Sequence, residues 1–456
     1  MAPRDSTTEM AEGGAASRLL REHAITIWRA ALAAADPKQL IRLALQDSAS
    51  PVAAALASAR RILVVGGGKA AGAMSAALED SLPQCLDRME GLVNVPADCV
   101  RPLQRIRLHG ARRAGLNEPT LEGVEGSLRM LNLMSGTEPD DVALCVLSGG
   151  GSALLPAPPP GVALEDEQKL TRMLHACGAT INEMNAVRKH LSRIKGGQLA
   201  QSFRGRHLFG WIISDVIGDP LDVIASGPTA PDPTTFADAL TVLETYGLLS
   251  QSPAAIVQHL RNGAAGEVPE TPKELPGNVR NYIIGNNAQA LAAATAAADK
   301  LGYRVLNLGS FVDGETRDVA ATFAAIVRSV RQHGLPLSPP LCLLSGGETT
   351  VTLSDDHGLG GRNQELVLAF IARLGQEGMD GVLVLSAGTD GEDGPCDAAG
   401  ALADEQTLRD CRRQGIDPGR FLARHDSYHF FEAVGGLMKT GLTETNVMDA
   451  RVILVH

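Results

Sequence analysis

The apolar positions of this chain switch between two periods. Leu20, Ala24, Ile27, Trp28 and Ala31 recur at helical spacing and predict an opening amphipathic helix that stops near Asp36-Pro37. Residues 61–65 form a short β-branched run that ends in glycines, the mark of a buried strand. A helix over 70–82 follows, then strands at 91–95 and 105–108. A further apolar strand, 141–147, runs straight into Ser148-Gly149-Gly150-Gly151-Ser152. Helical patterns cover 164–177 and 185–201, and a strand at 208–214 empties into a polar loop, 215–233. Residues 261–277, rich in Gly, Pro and Glu, carry no periodicity and read as a linker. Beyond them the alternation restarts. Strands at 281–284 and 304–308 flank an Ala-rich helix, and 341–344 leads into Ser345-Gly346-Gly347. Residues 351–353 are placed to pair back as a hairpin. A helix over 362–374 and strands at 382–385 and 451–455 complete the pattern.

This order predicts an α/β protein of two α/β/α-type domains with largely parallel sheets. The expected boundaries are a disordered tail over 1–17, an N-terminal Rossmann-like domain over 18–260, a linker over 261–279 and a C-terminal α/β domain over 280–456. Parallel sheets bind ligands beyond the carboxyl ends of their strands. The glycine-rich punctuation falls at those ends. Ser148, Ser345 and Ser386 each follow a strand and precede small residues, a hint that the two halves resemble one another.

Composition narrows the chemistry. Of 456 residues 49 are glycine, above the usual ~7%, which fits many tight loops where backbone approaches a ligand. A net charge of −11 disfavours nucleic acid as a partner, and aromatics at 3% disfavour base-stacking platforms. The seven cysteines show no CxxC spacing, so a reducing, cytoplasmic setting with inert thiols is expected rather than a disulfide framework or zinc site. No apolar run is long enough to span a membrane, and the N-terminus carries no secretory pattern.

Several loops then stand out. Gly66-Gly67-Gly68-Lys69 links a strand to a helix, where backbone N–H groups and the helix dipole favour an anion and Lys69 adds a charge. It is not a Walker A loop, because Ala70 stands where Ser or Thr would hold magnesium. Ser148-Gly149-Gly150-Gly151-Ser152 can wrap a phosphate as a nest. Arg188, Lys189, Ser192 and Lys195 are spaced to share one helix face as a basic stripe. Asp215 and Asp219 follow a strand end and suit magnesium, which takes one or two carboxylates plus phosphate oxygens. In the second half, Glu348, Arg362 and Asp390 lie in glycine-rich loops, and His425-Asp426-Ser427 follow further on. Arg362, after Gly360-Gly361, can grip a carboxylate or phosphate bidentately. Cradles, cations and candidate magnesium ligands together point to phosphoryl transfer, which needs alignment and charge stabilisation above all.

With these motifs in hand, the chain resembles the glycerate 2-kinase family with a C-terminal MOFRL domain. The resemblance rests on Gly66 to Ala71, Leu147 to Leu154, Asn185 to Gly197, Ser214 to Pro220, Ile224 to Thr229, Leu344 to Val351, Gly361 to Glu365, Gly388 to Gly394, His425 to Ser427 and Thr443 to Val447. It implies a two-domain protein with an interdomain active-site cleft. It also implies phosphorylation of D-glycerate at its 2-hydroxyl by ATP with Mg2+. The family's functional lysine maps to Lys69 and its functional arginine to Arg362. Combined with the residue chemistry, Lys69, Arg362 and Asp215 are the expected catalytic residues. Gly66, Gly67, Gly68, the 148–152 loop, Arg188, Lys189, Lys195 and Asp390 are expected to hold nucleotide or substrate, and Asp215 and Asp219 the metal. One departure touches substrate choice: Arg112-Arg113 precede Asn117-Glu118 where many members carry a His-Pro pair. The expected partners are the two small substrates, with a homodimer compatible and neither nucleic acid nor membrane. The alternatives are a nicotinamide-dependent hydroxypyruvate reductase and a non-catalytic sugar-phosphate binder.

Overall fold

The computed structural model describes residues 6–113 and 118–456, so Asn117 of the substrate-choice loop lies outside the described residues. The chain forms two compact units. One is Pro37–Gly285; the other joins Asn286–His456 to the N-terminal stretch ending at Asp36.

The first unit holds a six-stranded sheet: β1 (Ile62–Gly67), β2 (Met89–Pro96), β3 (Ile106–Arg112), β4 (Val142–Leu147), β5 (His207–Ile213) and β6 (Val279–Gly285). Its order is 3-2-1-4-5-6 and every pair is parallel. The two central strands, β1 and β4, are buried along their whole length. That is why their sequences read as unbroken apolar runs rather than alternating ones. The chain leaves β1 toward one edge and β4 toward the other, so a crevice opens beyond their adjacent carboxyl ends. Both glycine loops lie there. A separate apolar cluster joins the helices Leu164–Ala176, Ile181–His190, Phe236–Thr245 and Ala254–Ala264.

The second unit has β7 (Arg304–Asn307), β8 (Leu341–Gly347), β9 (Val382–Gly388), β10 (Gly400–Asp404), β11 (Leu437–Met438) and β12 (Asp449–Val455), in the order 11-10-9-12-8-7. This sheet is mixed. Only β7 and β8 pair parallel, while β12 runs antiparallel between β8 and β9. The opening helix, Ser6–Ala34, belongs to this unit. It packs on the helix Asn287–Lys300 and on β12, burying Leu20, Ala24, Ile27, Trp28 and Ala31. Arg21 grips Asp404 through Nε and Nη2 at 2.6 and 2.7 Å.

Several boundaries differ from the sequence reading. The helix reaches back to Ser6, so residues 6–17 are not a disordered tail. The helix Ala254–Ala264 enters the expected linker, and β6 pairs with β5, so the crossing to the second unit comes at Gly285 rather than within 261–279. An apolar run announces a strand but not the sheet whose edge it joins. The helix expected over 185–201 stops at His190. Gly196 and Gly197, with φ of +57° and +81°, turn the chain before a short helix, Gln198–Gln201. Residues 351–354 form no strand. Ser345 and Ser386 lie inside β8 and β9, both opposite Arg451 of β12, and are not equivalents of Ser148 beyond β4. Among the described residues no helix is long and apolar enough to cross a membrane. All seven cysteines are free, four of them buried, and burial pushes the Cys145 thiol up to about 12.

Candidate active site

In the first unit the loops after β1 and β4 interlock. Lys69 N donates to Gly149 O at 2.8 Å, Ala70 N to Ser148 Oγ at 2.9 Å, and Gly68 N to Asn94 O at 3.3 Å. The N–H groups expected to cradle an anion at Gly68 and Lys69 are therefore satisfied by the neighbouring chain. Gly66 and Gly68 serve that closeness. Their φ values are +136° and +148°, and a Cβ would lie 2.0 Å from Val146 O or 2.2 Å from Ser148 Oγ. Gly67 is wedged against Asn94 O and Leu155. The 148–152 loop is different. Among the described residues no protein acceptor takes the N–H of Gly149, Gly150 or Ser152, which leaves three donors for an anion. Lys69 flanks them: a Cβ at Gly150 would sit 3.5 Å from Lys69 Cγ.

The far side of this loop rests on a strained turn. Ala225 and Ser226 have φ of +52° and +60°, conformations that cost about 1–3 kcal/mol each and gather at functional sites. A Cβ at Gly151 would meet Ala225 Cβ at 2.6 Å. Ser226 Oγ lies 2.9 Å from Ser152 Oγ and donates to Asn185 Oδ1 at 3.0 Å. Gly196 N and Gly197 N donate to the carbonyls of Ser226 and Gly227. The 185–197 segment is thus tied to the 148–152 loop through Ser226, by backbone on one side and by side-chain hydroxyls on the other, which spacing alone did not reveal.

The basic stripe does not form as one helix face. Lys189, 1% exposed, gives its ammonium to Asp222 at 2.9 Å and Asp232 at 3.2 Å, and so is a structural cation rather than one presented to phosphate. His190 is packed, bonded to Ala186 O and to Glu270. Lys195 is also buried, and burial lowers its pKa while Glu167 opposes the shift. Burial raises the Glu167 carboxyl despite Lys195 and Arg188. Arg188, Lys195 and Glu167 thus form one electrostatic group, with more positive than negative charge. Sequence reasoning missed Glu167, because an acidic residue in a first helical turn reads as a dipole partner.

Asp215 and Asp219 follow β5, both half-buried, in a turn where Asp219 N donates to Val216 O and Asp219 has φ of +55°. Two hard carboxylates on one turn are a donor set that fits magnesium with phosphate oxygens completing its shell. Among the described residues no group of three or more His, Cys, Asp or Glu is poised for a metal.

The second unit gathers its candidate residues at the ends of β8 and β9 and the start of β12. Arg362 begins the helix Arg362–Gly378. Its Nε and Nη2 grip Asp449 at 2.8 and 2.9 Å, and its Nη1 meets Glu348 at 3.0 Å. Burial disfavours the Arg362 charge, but Asp449 and Glu348 more than restore it, so its pKa is raised. Asp390 belongs to the same cluster, since a Cβ at Gly388 would lie 3.0 Å from Asp390 Oδ1 and 3.7 Å from Asp449 Oδ1. Buried Arg451 also bonds Asp449, at 3.2 Å. Asp393 takes the N–H groups of Asn363 and Gln364 at 2.9 Å each. His425, beside Asp426-Ser427, pairs with Glu365 at 2.9 Å, and Arg317 bonds both. It fastens the helix that carries Arg362. The sequence reading missed Asp449, whose signal is a carboxylate opening an apolar run, Asp449 to Val455.

Comparison with known proteins divides the chain in two at a similar place, although the first match begins within the opening helix of the second unit. Residues 23–261 match the family described as a domain of unknown function, DUF4147, and residues 341–449 match the MOFRL family. The chain is 36% identical over 439 residues to a glycerate 2-kinase of Pyrococcus horikoshii, covering 96% of this chain and 97% of that one. It is 40% identical to an Agrobacterium vitis protein provisionally named a hydroxypyruvate reductase, covering 94% and 93%. Among solved structures, a glycerate kinase from Thermotoga maritima superposes with a TM-score of 0.83 at 35% identity, covering 96% of this chain and all of that one.

Proposed function

Because this chain belongs to the glycerate 2-kinase family, whose C-terminal part is the MOFRL domain, we propose that it transfers the γ-phosphoryl group of ATP, with Mg2+, to the 2-hydroxyl of D-glycerate. The products are 2-phosphoglycerate and ADP. The observation that carries this reading is the 148–152 loop at the β1–β4 crevice. It has three unspent backbone donors with the Lys69 side chain beside them. Oriented donors of this kind stabilise phosphate charge without reorganising, which is most of what phosphoryl transfer asks of a protein.

In this reading the 148–152 loop holds phosphate oxygens and Lys69 neutralises charge on the transferring group. Arg188 and Lys195, grouped with Glu167, supply further positive potential. Asp215 and Asp219 hold Mg2+, which when bound neutralises and bridges phosphate oxygens. Arg362 takes the family's functional arginine position, held in orientation by Asp449, and Asp390 stands in its cluster.

The rival is a nicotinamide-dependent hydroxypyruvate reductase, suggested by the name of the Agrobacterium vitis relative. A dinucleotide site would place a ribose-binding carboxylate near the end of β2. Asn94 occupies that strand end, buried, with its amide donating to Gly123 O and Leu154 O at 3.1 and 2.7 Å. Incubating the protein with D-glycerate, ATP and Mg2+ and resolving the product by phosphorus NMR tests the kinase. Formation of 2-phosphoglycerate with equimolar ADP is expected. Oxidation of NADH by hydroxypyruvate without any phosphoglycerate would replace it with the reductase.

A further inference from the structure

Arg112 ends β3 and is 7% exposed. Its Nη2 would lie 3.8 Å from a Cβ at Gly150, on the same residue that Lys69 flanks. Arg112 also lines a cavity of about 460 Å3 that extends from the ends of β2 and β3 to the start of the helices Leu121–Ser135 and Leu164–Ala176. One guanidinium therefore joins the phosphate-type loop to a separate chamber.

The chamber has two characters. Arg112 and Arg113 supply its cations, Arg113 acting on the Glu122 carboxylate, while Glu118, Glu122 and Glu165 make the rest of the lining acidic. Its apolar surface comes from Pro119, Leu164 and Leu121, the last 66% exposed. The volume falls in the ~300–1,000 Å3 range of cavities that enclose whole small-molecule ligands, and exceeds what a three-carbon acid fills. A sugar acid deep in this chamber would meet three carboxylates. A ligand with a polyanionic end and an uncharged, partly apolar end would meet favourable surface along its length. Acidic side chains accept hydrogen bonds from ribose hydroxyls and an exocyclic amine, and Leu121 offers a face to a base.

We propose that this cavity receives the nucleoside part of the nucleoside triphosphate, with Arg112 at the junction where its phosphates turn toward the 148–152 loop. The proposal rests on the kinase reading, and binding measurements separate the two. Leu121→Trp fills the chamber from an exposed position. Calorimetry is expected to show ADP binding weakened roughly tenfold or more, with binding of inorganic tripolyphosphate within about twofold of the parent. Arg112→Met is expected to weaken both ligands. The KM for ATP should rise in Leu121→Trp while the KM for D-glycerate holds.

Unchanged ADP affinity in Leu121→Trp would overturn the proposal and leave the kinase standing. So would a raised KM for D-glycerate with ADP affinity intact. A parent protein that binds ADP, loses it on Leu121→Trp, and forms no phosphoglycerate would keep the nucleoside site and sink the kinase reading. Absence of ADP binding by the folded parent would overturn both.

Discussion

Asp393 is 1% exposed, and burial raises its carboxyl to about 6, against the four N–H donors of Asn363 and Gln364 that favour its ionised form. Asp449 adds to the upward shift and Arg362 opposes it. The sign follows from linkage. Between the unfolded carboxyl value and about 6, the folded state holds a proton that the unfolded state has lost. Asp393 therefore contributes stability below that window and loses it as pH rises through about 6, a change on the order of 3 kcal/mol. Asp393→Asn should be less stable, because one oxygen acceptor becomes a donor. It should also lack that component of the slope, which shows as a stability gap to the parent that narrows from pH 4 to pH 7 in urea titrations. Lys69 is a different kind of charge, half-buried beside unspent donors. Lys69→Ala should lower kcat by ~100-fold or more, as loss of a group facing developing charge does. Near-parental turnover from the folded variant would remove Lys69 from the mechanism.

At the scale of elements, the β1 and β4 ends close on each other because no side chain stands between them. Gly66→Ala would drive a Cβ toward Val146 O from a φ of +136°. Backbone on both sides cannot yield cheaply, so a loss of about 3 kcal/mol or more is expected. It would be read as a lower urea midpoint of the Pro37–Gly285 unit. Motif positions such as Gly66, Gly67 and Gly68 were legible in the sequence, but their use was not. A glycine invites the reading of ligand approach, whereas here all three admit neighbouring chain. The basic stripe failed for a related reason. Spacing at three and four describes a shared face only while the helix lasts, and the Gly196-Gly197 turn lies downstream of its end at His190.

At the scale of the molecule, the two tryptophans divide between the units: Trp28 on the opening helix and Trp211 in β5. Trp28→Phe and Trp211→Phe backgrounds therefore report each unit alone. Asp404, 1% exposed, caps the helix Glu405–Gln414 and holds Arg21 and Ser17 of the opening helix. Asp404→Ala strands a partly buried cation and removes a cap, which together cost several kcal/mol. The fluorescence melt reported by Trp28 should fall by roughly 10 °C, and that reported by Trp211 should hold. Equal shifts in both would mean that the units unfold as one.

The strands β1 to β9 and β12, the glycine loops and the family were legible in the sequence itself, because buried strands and tight turns leave local marks that survive without context; several helix ends, β10 and β11 were not. Which strands share a sheet was decided only in three dimensions, as β6 joining β5 and antiparallel β12 parting β8 from β9 show. So was the fate of each charge. Lys189 and Lys195 look alike along the chain, yet one is neutralised by two carboxylates and the other is buried within a net-positive group. Sheet pairing and charge environment both depend on residues far apart in sequence, so no local pattern specifies them; packing does.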